Sequence, residues 1–217
     1  MGLNIPKQFY MVGGQPIIMY SVSKFASCPE IDSITIVLAD QWRSFVEDYL
    51  AKVSFRGRFF FAVSGESRQH SVLNGLNALK GFACDDDLVF VHDAVRPLFP
   101  VSNIYDGLEA CREYDAALPV ISVKDATYQS RDGKMLTAVL PREELFSGQS
   151  PECFVYGRFM SAHNCFSSAE LDAIRGCSEL MFRAGMTVKL IPGTEQNYKI
   201  TTIEDLKAFE LTCGPID

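Results

Sequence analysis

Residues able to do chemistry gather in a few short segments of the chain. The first is Pro6-Lys7-Gln8-Phe9. A lysine beside a rigid proline and just ahead of a helix is either a solvated surface group or a cation held ready for a phosphate. The second, Ser64-Gly65-Glu66-Ser67-Arg68-Gln69-His70-Ser71, ends a strand on glycine and opens a helix with small polar residues. Free N–H groups and the helix dipole suit an anion or the polar edge of a base there, and Glu66 and Ser71 could bond a nucleobase. Plain capping by Ser67, with Arg68 in solvent, is the other reading. In the third, Val91-His92-Asp93-Ala94-Val95-Arg96-Pro97, an apolar run meets charges that need partners if buried. Asp93 could orient a hydroxyl or hold a metal-bound phosphate, and Arg96 could clamp a phosphate; an internal Asp93–Arg96 pair shaping the turn is the alternative. His92 reads as a packed or hydrogen-bonding residue. Two later segments complete the set: Pro141-Arg142 with Gly148-Gln149-Ser150-Pro151-Glu152, and Gln196-Asn197-Tyr198-Lys199-Ile200-Thr201-Thr202. Arg142 is a surface arginine or a phosphate contact. Lys199 is a second candidate phosphate ligand, placed just before a helix capped by Thr201 or Thr202 with Glu204 and Asp205 in its first turn.

These segments must be positioned by regular elements, and the pattern supplies them. Short apolar runs at Ser33–Leu38, Arg58–Val63, Leu88–Val91, Ala117–Val123 and Val188–Ile191, the first of them rich in β-branched residues, read as strands. Helical spacing lies between them, near residues 16–26, 41–52, 67–79, 101–114, 159–164, 179–184 and 203–211. Alternation of this kind predicts an α/β, Rossmann-like three-layer fold, with a mostly parallel sheet covered by helices on both faces. Sheets of that kind bind ligands beyond the C-terminal ends of their strands, where the polar segments fall. Residues 127–140 depart from the pattern. They read strand, Arg131-Asp132-Gly133 turn, strand, and predict a hairpin that projects as an arm.

Composition narrows the function. With 217 residues, 47% hydrophobic and 22% charged, the chain reads as one globular domain spanning 1–217. A net charge of −7 argues against nucleic acid as partner, though not against a small phosphorylated substrate met by local cations. The seven cysteines are odd in number and form no CxxC pair, so they read as reduced thiols in a cytoplasmic protein rather than disulfides or a zinc site. No segment reads as a signal peptide or membrane span.

Taken in order, PKQF, GESRQHSVLNGL, VHDAVRP, Arg142 with GQSP, and NYKITTIEDL resemble the cytidylyltransferases that make CDP-activated polyols from 2-C-methyl-D-erythritol 4-phosphate or D-ribitol 5-phosphate. The resemblance implies transfer of CMP from CTP to the polyol phosphate, with release of pyrophosphate. It implies that Lys7 and Lys199 are the catalytic cations. It implies that Gly65, Glu66, Arg68 and Ser71 bind the nucleotide, and that Asp93, Arg96, Thr127 and Arg142 bind the polyol phosphate. A Mg²⁺ held mainly by the triphosphate, with Asp93 beside it, is also implied. Arg142 would reach across a homodimer formed by an arm at about 126–150.

The chain departs from the family in four places. Asp125-Ala126-Thr127-Tyr128 stands where methylerythritol members carry Asp-Thr-Ile-Lys, leaving Thr127 to replace the usual threonine. Gly176-Cys177-Ser178-Glu179 replaces a Thr-Asp-Asp run, and GQSP is nearer the GQTP of ribitol-type members. These three lean toward ribitol phosphate or another alditol phosphate. The fourth is at the start, where Met1-Gly2 falls on the last two letters of the family's AAGxGxRMG strand and triphosphate loop. Two expectations follow. Either Met1 is an internal methionine of a longer natural chain, or the chain is a non-catalytic dimeric relative that has lost triphosphate binding. Loss of that central strand would leave its two neighbours with unpaired edges, which the longer chain avoids and which the degenerate relative avoids only if the neighbours close the gap.

Overall fold

The computed structural model describes residues 5–213, so Met1 and Gly2, on which the expectation about the loop rests, lie outside the described residues. After a 3-10 turn at Lys7–Phe9, strands β1 (Met11–Val12) and β2 (Gln15–Pro16) form a minimal hairpin. Its turn is Gly13-Gly14, with φ of 56° and 80°, a left-handed pair that only glycine adopts without strain. Helix α1 (Ile17–Ala26) follows and buries Ile17, Ile18, Met19, Val22 and Phe25.

Strands β3 (Ser33–Leu38) and β4 (Arg58–Val63) pair in parallel, joined by helix α2 (Arg43–Leu50) as the crossover. Helix α3 (Arg68–Asn77) lies against both strands. Gly75 permits the approach, since a Cβ there would sit 2.9 Å from Val37 Cγ2.

The second sheet has the order β11-β6-β10-β5, from β5 (Leu88–Val91), β6 (Ala116–Ser122), β10 (Glu152–Val155) and β11 (Val188–Pro192), with β9 (Phe146–Gly148) also on β6. β11 and β6 run parallel; β10 runs antiparallel between β6 and β5. The parallel pairs expected from strand–helix alternation are present, but the sheet is mixed. Like β9, which also runs antiparallel to β6, the β10 segment Glu-Cys-Phe-Val at 152–155 was not read as a strand because so short a run carries little periodic signal. Its residues face both ways. Phe154 and Ala116 pack under α5 (Tyr156–Asn164) and α7 (Cys177–Arg183), while Cys153, Ala117 and Ile191 pack toward α4 (Ser102–Ala110). Helix α6 (Ser168–Ala173), opened by a Ser167–Glu170 capping box, was also unread. α8 (Ile203–Cys213) closes the described chain on Val12 and Ile17.

β7 (Thr127–Gln129) and β8 (Ala138–Leu140) pair antiparallel as expected. The connection is longer than the expected Arg131-Asp132-Gly133 turn. It spans 130–137, folded around Asp132, whose Oδ1 accepts from Ser130 Oγ, Lys134 N and Met135 N.

Candidate active site

β5 brings its apolar run to the sheet end and stops at His92-Asp93, where the chain turns with Arg96 N donating to Asp93 O at 2.9 Å. The Asp93 carboxylate meets three cations, Arg96 from its own turn and Arg68 and Lys199 from distant parts of the chain. Lys199 Nζ lies 3.1 Å from Oδ2, Arg96 Nε 3.4 Å from Oδ2, and Arg68 Nη2 3.5 Å from Oδ1. Burial alone would raise this carboxyl. The Lys199 and Arg68 charges outweigh it and hold it below the ordinary carboxylate range. The internal Asp93–Arg96 pair and the functional reading are therefore not exclusive, since one carboxylate gathers all three cations.

His92 fixes the turn. A carbonyl can only accept, so Nε2 carries the proton and donates to Arg96 O at 3.1 Å. Nδ1 is then the acceptor for Ser150 Oγ at 3.1 Å, and Ser150 Oγ accepts from Asp93 N at 3.1 Å. Burial between Phe25 and Phe99 pushes the imidazole down to about 3, which keeps it neutral in this role. The packing role expected for His92 holds, with a tautomer attached to it.

Arg68 is tied more deeply than a solvated arginine or a base contact. Besides Asp93 it faces Glu152 Oε1 at 3.6 Å, and its Nη1 donates to Cys177 Sγ at 2.9 Å. Glu152 is buried, and burial raises its carboxyl; Ser178 N and Oγ donate to its Oε2 at 2.9 and 2.6 Å. Burial likewise pushes the Cys177 thiol up to about 12, so it stays protonated. Glu152, Cys177 and Ser178 went unassigned in the sequence. A buried charge needs a partner, and that rule would have singled out Glu152 had β10 been recognised.

A second set of bonds locks the loops around this cluster. Asn197 Nδ2 donates to Ser150 O at 2.8 Å, Gln149 Nε2 to Thr194 O at 2.9 Å, and Arg96 Nη1 to Asn197 O at 2.6 Å. The segment that presents Lys199 is thus fastened to the segment after β9. Beyond it Asp205 Oδ2 accepts from Thr201 N, Thr201 Oγ1 and Thr202 N, while Thr202 Oγ1 accepts from Asp205 N, so both threonines share the capping of α8. Lys7 Nζ donates to Thr201 O at 3.5 Å, bringing the first candidate cation to the segment that carries the second.

The other candidates stand apart from Asp93. Gly65 N donates to Ser71 Oγ at 2.9 Å, and a Cβ on Gly65 would sit 2.5 Å from His70 Cβ, so the strand–helix turn requires glycine. Ser67 caps α3 as the capping reading expected. Glu66 is exposed. Thr127 Oγ1 donates to Asp125 O, and Arg142 reaches Glu143 and Lys124 O, all at the base of the hairpin. Neither Thr127 nor Arg142 has a bond to the Asp93 cluster within the chain.

Among the described residues no three His, Cys, Asp or Glu side chains gather as a metal site. Both Asp93 oxygens already face cations, and Glu152 is taken up by Ser178 and Arg68. The donor set does not form a protein-held metal cage. It suits only an ion carried mainly by phosphates, which asks for one or two carboxylates at most.

Residues 1–213 match the family described as IspD: 2-C-methyl-D-erythritol 4-phosphate cytidylyltransferase. A relative named 2-C-methyl-D-erythritol 4-phosphate cytidylyltransferase, from Geobacter metallireducens, is 34% identical over 97% of this chain and 90% of its own length. A ribitol-5-phosphate cytidylyltransferase from Streptococcus pneumoniae is 30% identical over 95% of this chain and 90% of its own. The crystal structure of the Francisella tularensis 2-C-methyl-D-erythritol 4-phosphate cytidylyltransferase shares the fold, with a TM-score of 0.81 at 24% identity, covering 96% of this chain and 93% of that one. The match over residues 1–213 and the 34% identity to the Geobacter relative place the chain: it belongs to the 2-C-methyl-D-erythritol 4-phosphate cytidylyltransferase family of nucleotidyltransferases.

Proposed function

We propose that this chain transfers CMP from CTP to the phosphate of a small polyol phosphate, giving a CDP-polyol and pyrophosphate. The observation that carries the reading is the convergence of Arg68, Arg96 and Lys199 on Asp93, with Lys7 drawn to the same C-terminal segment. A phosphate oxygen of the polyol attacks the α-phosphorus of CTP. The new P–O bond forms as the bond to the β-phosphate bridging oxygen breaks, and that oxygen leaves on pyrophosphate. Negative charge on the phosphoryl oxygens is what fixed cations stabilise. Lys7 and Lys199 take that part. Asp93 and Arg96 hold the polyol phosphate, and Asp93 keeps the cations gathered until phosphates arrive.

Gly65, Glu66 and Ser71 take the cytidine, where the strand–helix turn offers N–H and hydroxyl groups. Arg68, aimed at Asp93, serves the nucleotide through its phosphates rather than its base. Asp93 would be the carboxylate beside a Mg²⁺ carried mainly by the triphosphate, and an ion held there would neutralise phosphate charge. The reading extends to the Rossmann-like three-layer form, to 1–217 as one domain, and to a homodimer made through the arm. Tyr128 and Val139 support the last point, being 62% and 63% exposed on the hairpin. Across such a dimer Thr127 and Arg142 would serve the partner's polyol phosphate. Seven free thiols suit a reducing compartment, and we place the protein in the cytoplasm.

Pyrophosphate release from CTP, measured with methylerythritol 4-phosphate, ribitol 5-phosphate and other alditol phosphates, tests the reading. Release that depends on one of these acceptors is the expected result. No release with any of them, from this chain or from one extended upstream of Met1, would defeat it.

A further inference from the structure

A cleft of about 760 Å³ shares the 192–198 segment with the Asp93 cluster. Pro192, Gly193, Thr194, Gln196 and Tyr198 line the cleft. Asn197, between the last two, is bonded instead to Arg96 and Ser150, and Lys199 meets Asp93. None of Arg68, Asp93, Arg96 and Lys199 lines the cleft, so the segment is a wall common to two separate sites. The rest of the lining comes from Lys24 of α1, the turn into α4, and the end of α8.

Several polar groups of this lining lack an answer within the described residues. Lys24 gives one N–H to Phe99 O at 2.8 Å and rests over the Phe99 ring, but no described carboxylate pairs with its ammonium. Burial lowers its pKa, and no neighbouring charge offsets that cost. Helix α4 opens at Ser102 without a capping side chain, which leaves the positive end of its dipole bare beside the cleft. Asn103 is 1% exposed; its Nδ2 donates to Pro192 O at 2.8 Å, and its Oδ1 has no partner. The Tyr198 hydroxyl is buried without one as well.

These groups set the chemistry of an occupant. The lysine and the helix start ask for an anion. One lysine neutralises one negative charge, and Asp106, the one acid among the described lining residues, would repel a second. A carboxylate therefore fits better than a phosphate dianion. Asn103 Oδ1 only accepts, so the ligand must also donate. Leu98, Pro100, Val101 and Pro192 ask for a hydrocarbon group. Water meets the second demand alone.

We propose that this cleft binds a small organic monocarboxylate of the amino-acid or hydroxy-acid class, with an N–H or O–H donor and an apolar side chain, as an effector read through the Lys199 segment. Lys24 and the start of α4 hold the carboxylate, and Asn103 takes the donor. A ligand against Tyr198 then acts on the residue beside Lys199. The effect on rate rests on the proposed chemistry; the binding does not.

Amide shifts of the purified chain, titrated with L-leucine and separately with 2-hydroxyisocaproate at millimolar concentration, test the site without reference to activity. Saturable shifts at Ser102, Asn103, Gly193 and Tyr198 are expected with at least one of the two, carried onward to Lys199, and the arm that binds names the class. 4-Methylpentanoate, which lacks the donor, and leucinamide, which lacks the carboxylate, should each bind about tenfold more weakly or worse. Lys24→Met should lose binding to the same extent and Lys24→Arg should restore it. The two analogues probe the native chain, so the outcome does not depend on either variant folding. No saturable shift with either acid would overturn the site, as would equal binding of leucinamide. Shifts at Asp93 and Arg96 in place of the cleft would assign the carboxylate to the cation cluster and overturn it too. Shifts that stop short of Lys199 would overturn its role as an effector.

Discussion

The Asp93 turn and the β7–β8 hairpin spend polar residues in opposite ways. At the turn, side chains from five distant segments meet, and each charge has a counter-charge or a donor within reach. On the hairpin, side-chain bonds stay within residues 124–143, between positions one to eighteen apart, and apolar Tyr128, Met135, Leu136 and Val139 stand in water. A region that satisfies its own charges is complete within one chain as a scaffold. A region that exposes apolar side chains on a thin ribbon makes physical sense with something against it.

The largest test of this contrast is on rate. Lys199→Ala and Lys7→Ala should each lower pyrophosphate release by about a hundredfold or more, the scale for removing one preorganised charge donor. A near-normal rate for either variant would remove that lysine from the chemistry. Next comes stability. Glu152→Ala leaves Arg68 facing fewer anions and strips Ser178 of its acceptor, and should destabilise the chain by about 3 kcal/mol in urea unfolding, the lower end for breaking a buried pair. A cost below about 1 kcal/mol would mean the turn is held without Glu152.

Acid sharpens the same point. The folded imidazole of His92 is pushed down to about 3, below its ordinary value of 6.5. With the folded value depressed, its contribution is fully present above pH 6.5 and is lost as pH falls toward 3, because only the unfolded chain takes up the proton. Urea unfolding at pH 7 and pH 5 should show lower stability at pH 5, and His92→Gln should shrink the difference. An unchanged difference would assign the acid sensitivity elsewhere.

The smallest effect belongs to the hairpin. Tyr128→Ser with Val139→Ser should change the stability of one chain by no more than about 0.5 kcal/mol, as for surface positions, while sedimentation shows the proposed arm-mediated dimer lost. A large stability cost would show that the hairpin is packed on its own chain.

The same two regions differ in how far they could be read from residues alone. The hairpin was legible because alternation and an Asp-Gly pair are local signals. Asp93 and Arg96 were legible as candidates because they follow an apolar run at a sheet end, and Lys199 because it stands just before a capped helix. What stayed hidden depends on tertiary approach. Arg68 looks like a solvated helix-start residue until Glu152 and Cys177 are brought beside it from more than eighty residues away. β10 and α6 are too short to show a period, so Glu152 had no visible burial.

The contact between Lys7 and Thr201 joins positions 194 apart. On a ribosome the first of these cations emerges long before the last segment is made. Neither the Lys199 ion pair nor the α8 cover over Val12 and Ile17 can form until the final part of the chain is released. A nascent chain therefore folds its β3–β4 unit early and stays without its cation cluster until synthesis ends. A truncated product lacking α8 and the segment before it would carry most of the architecture and no assembled phosphate site.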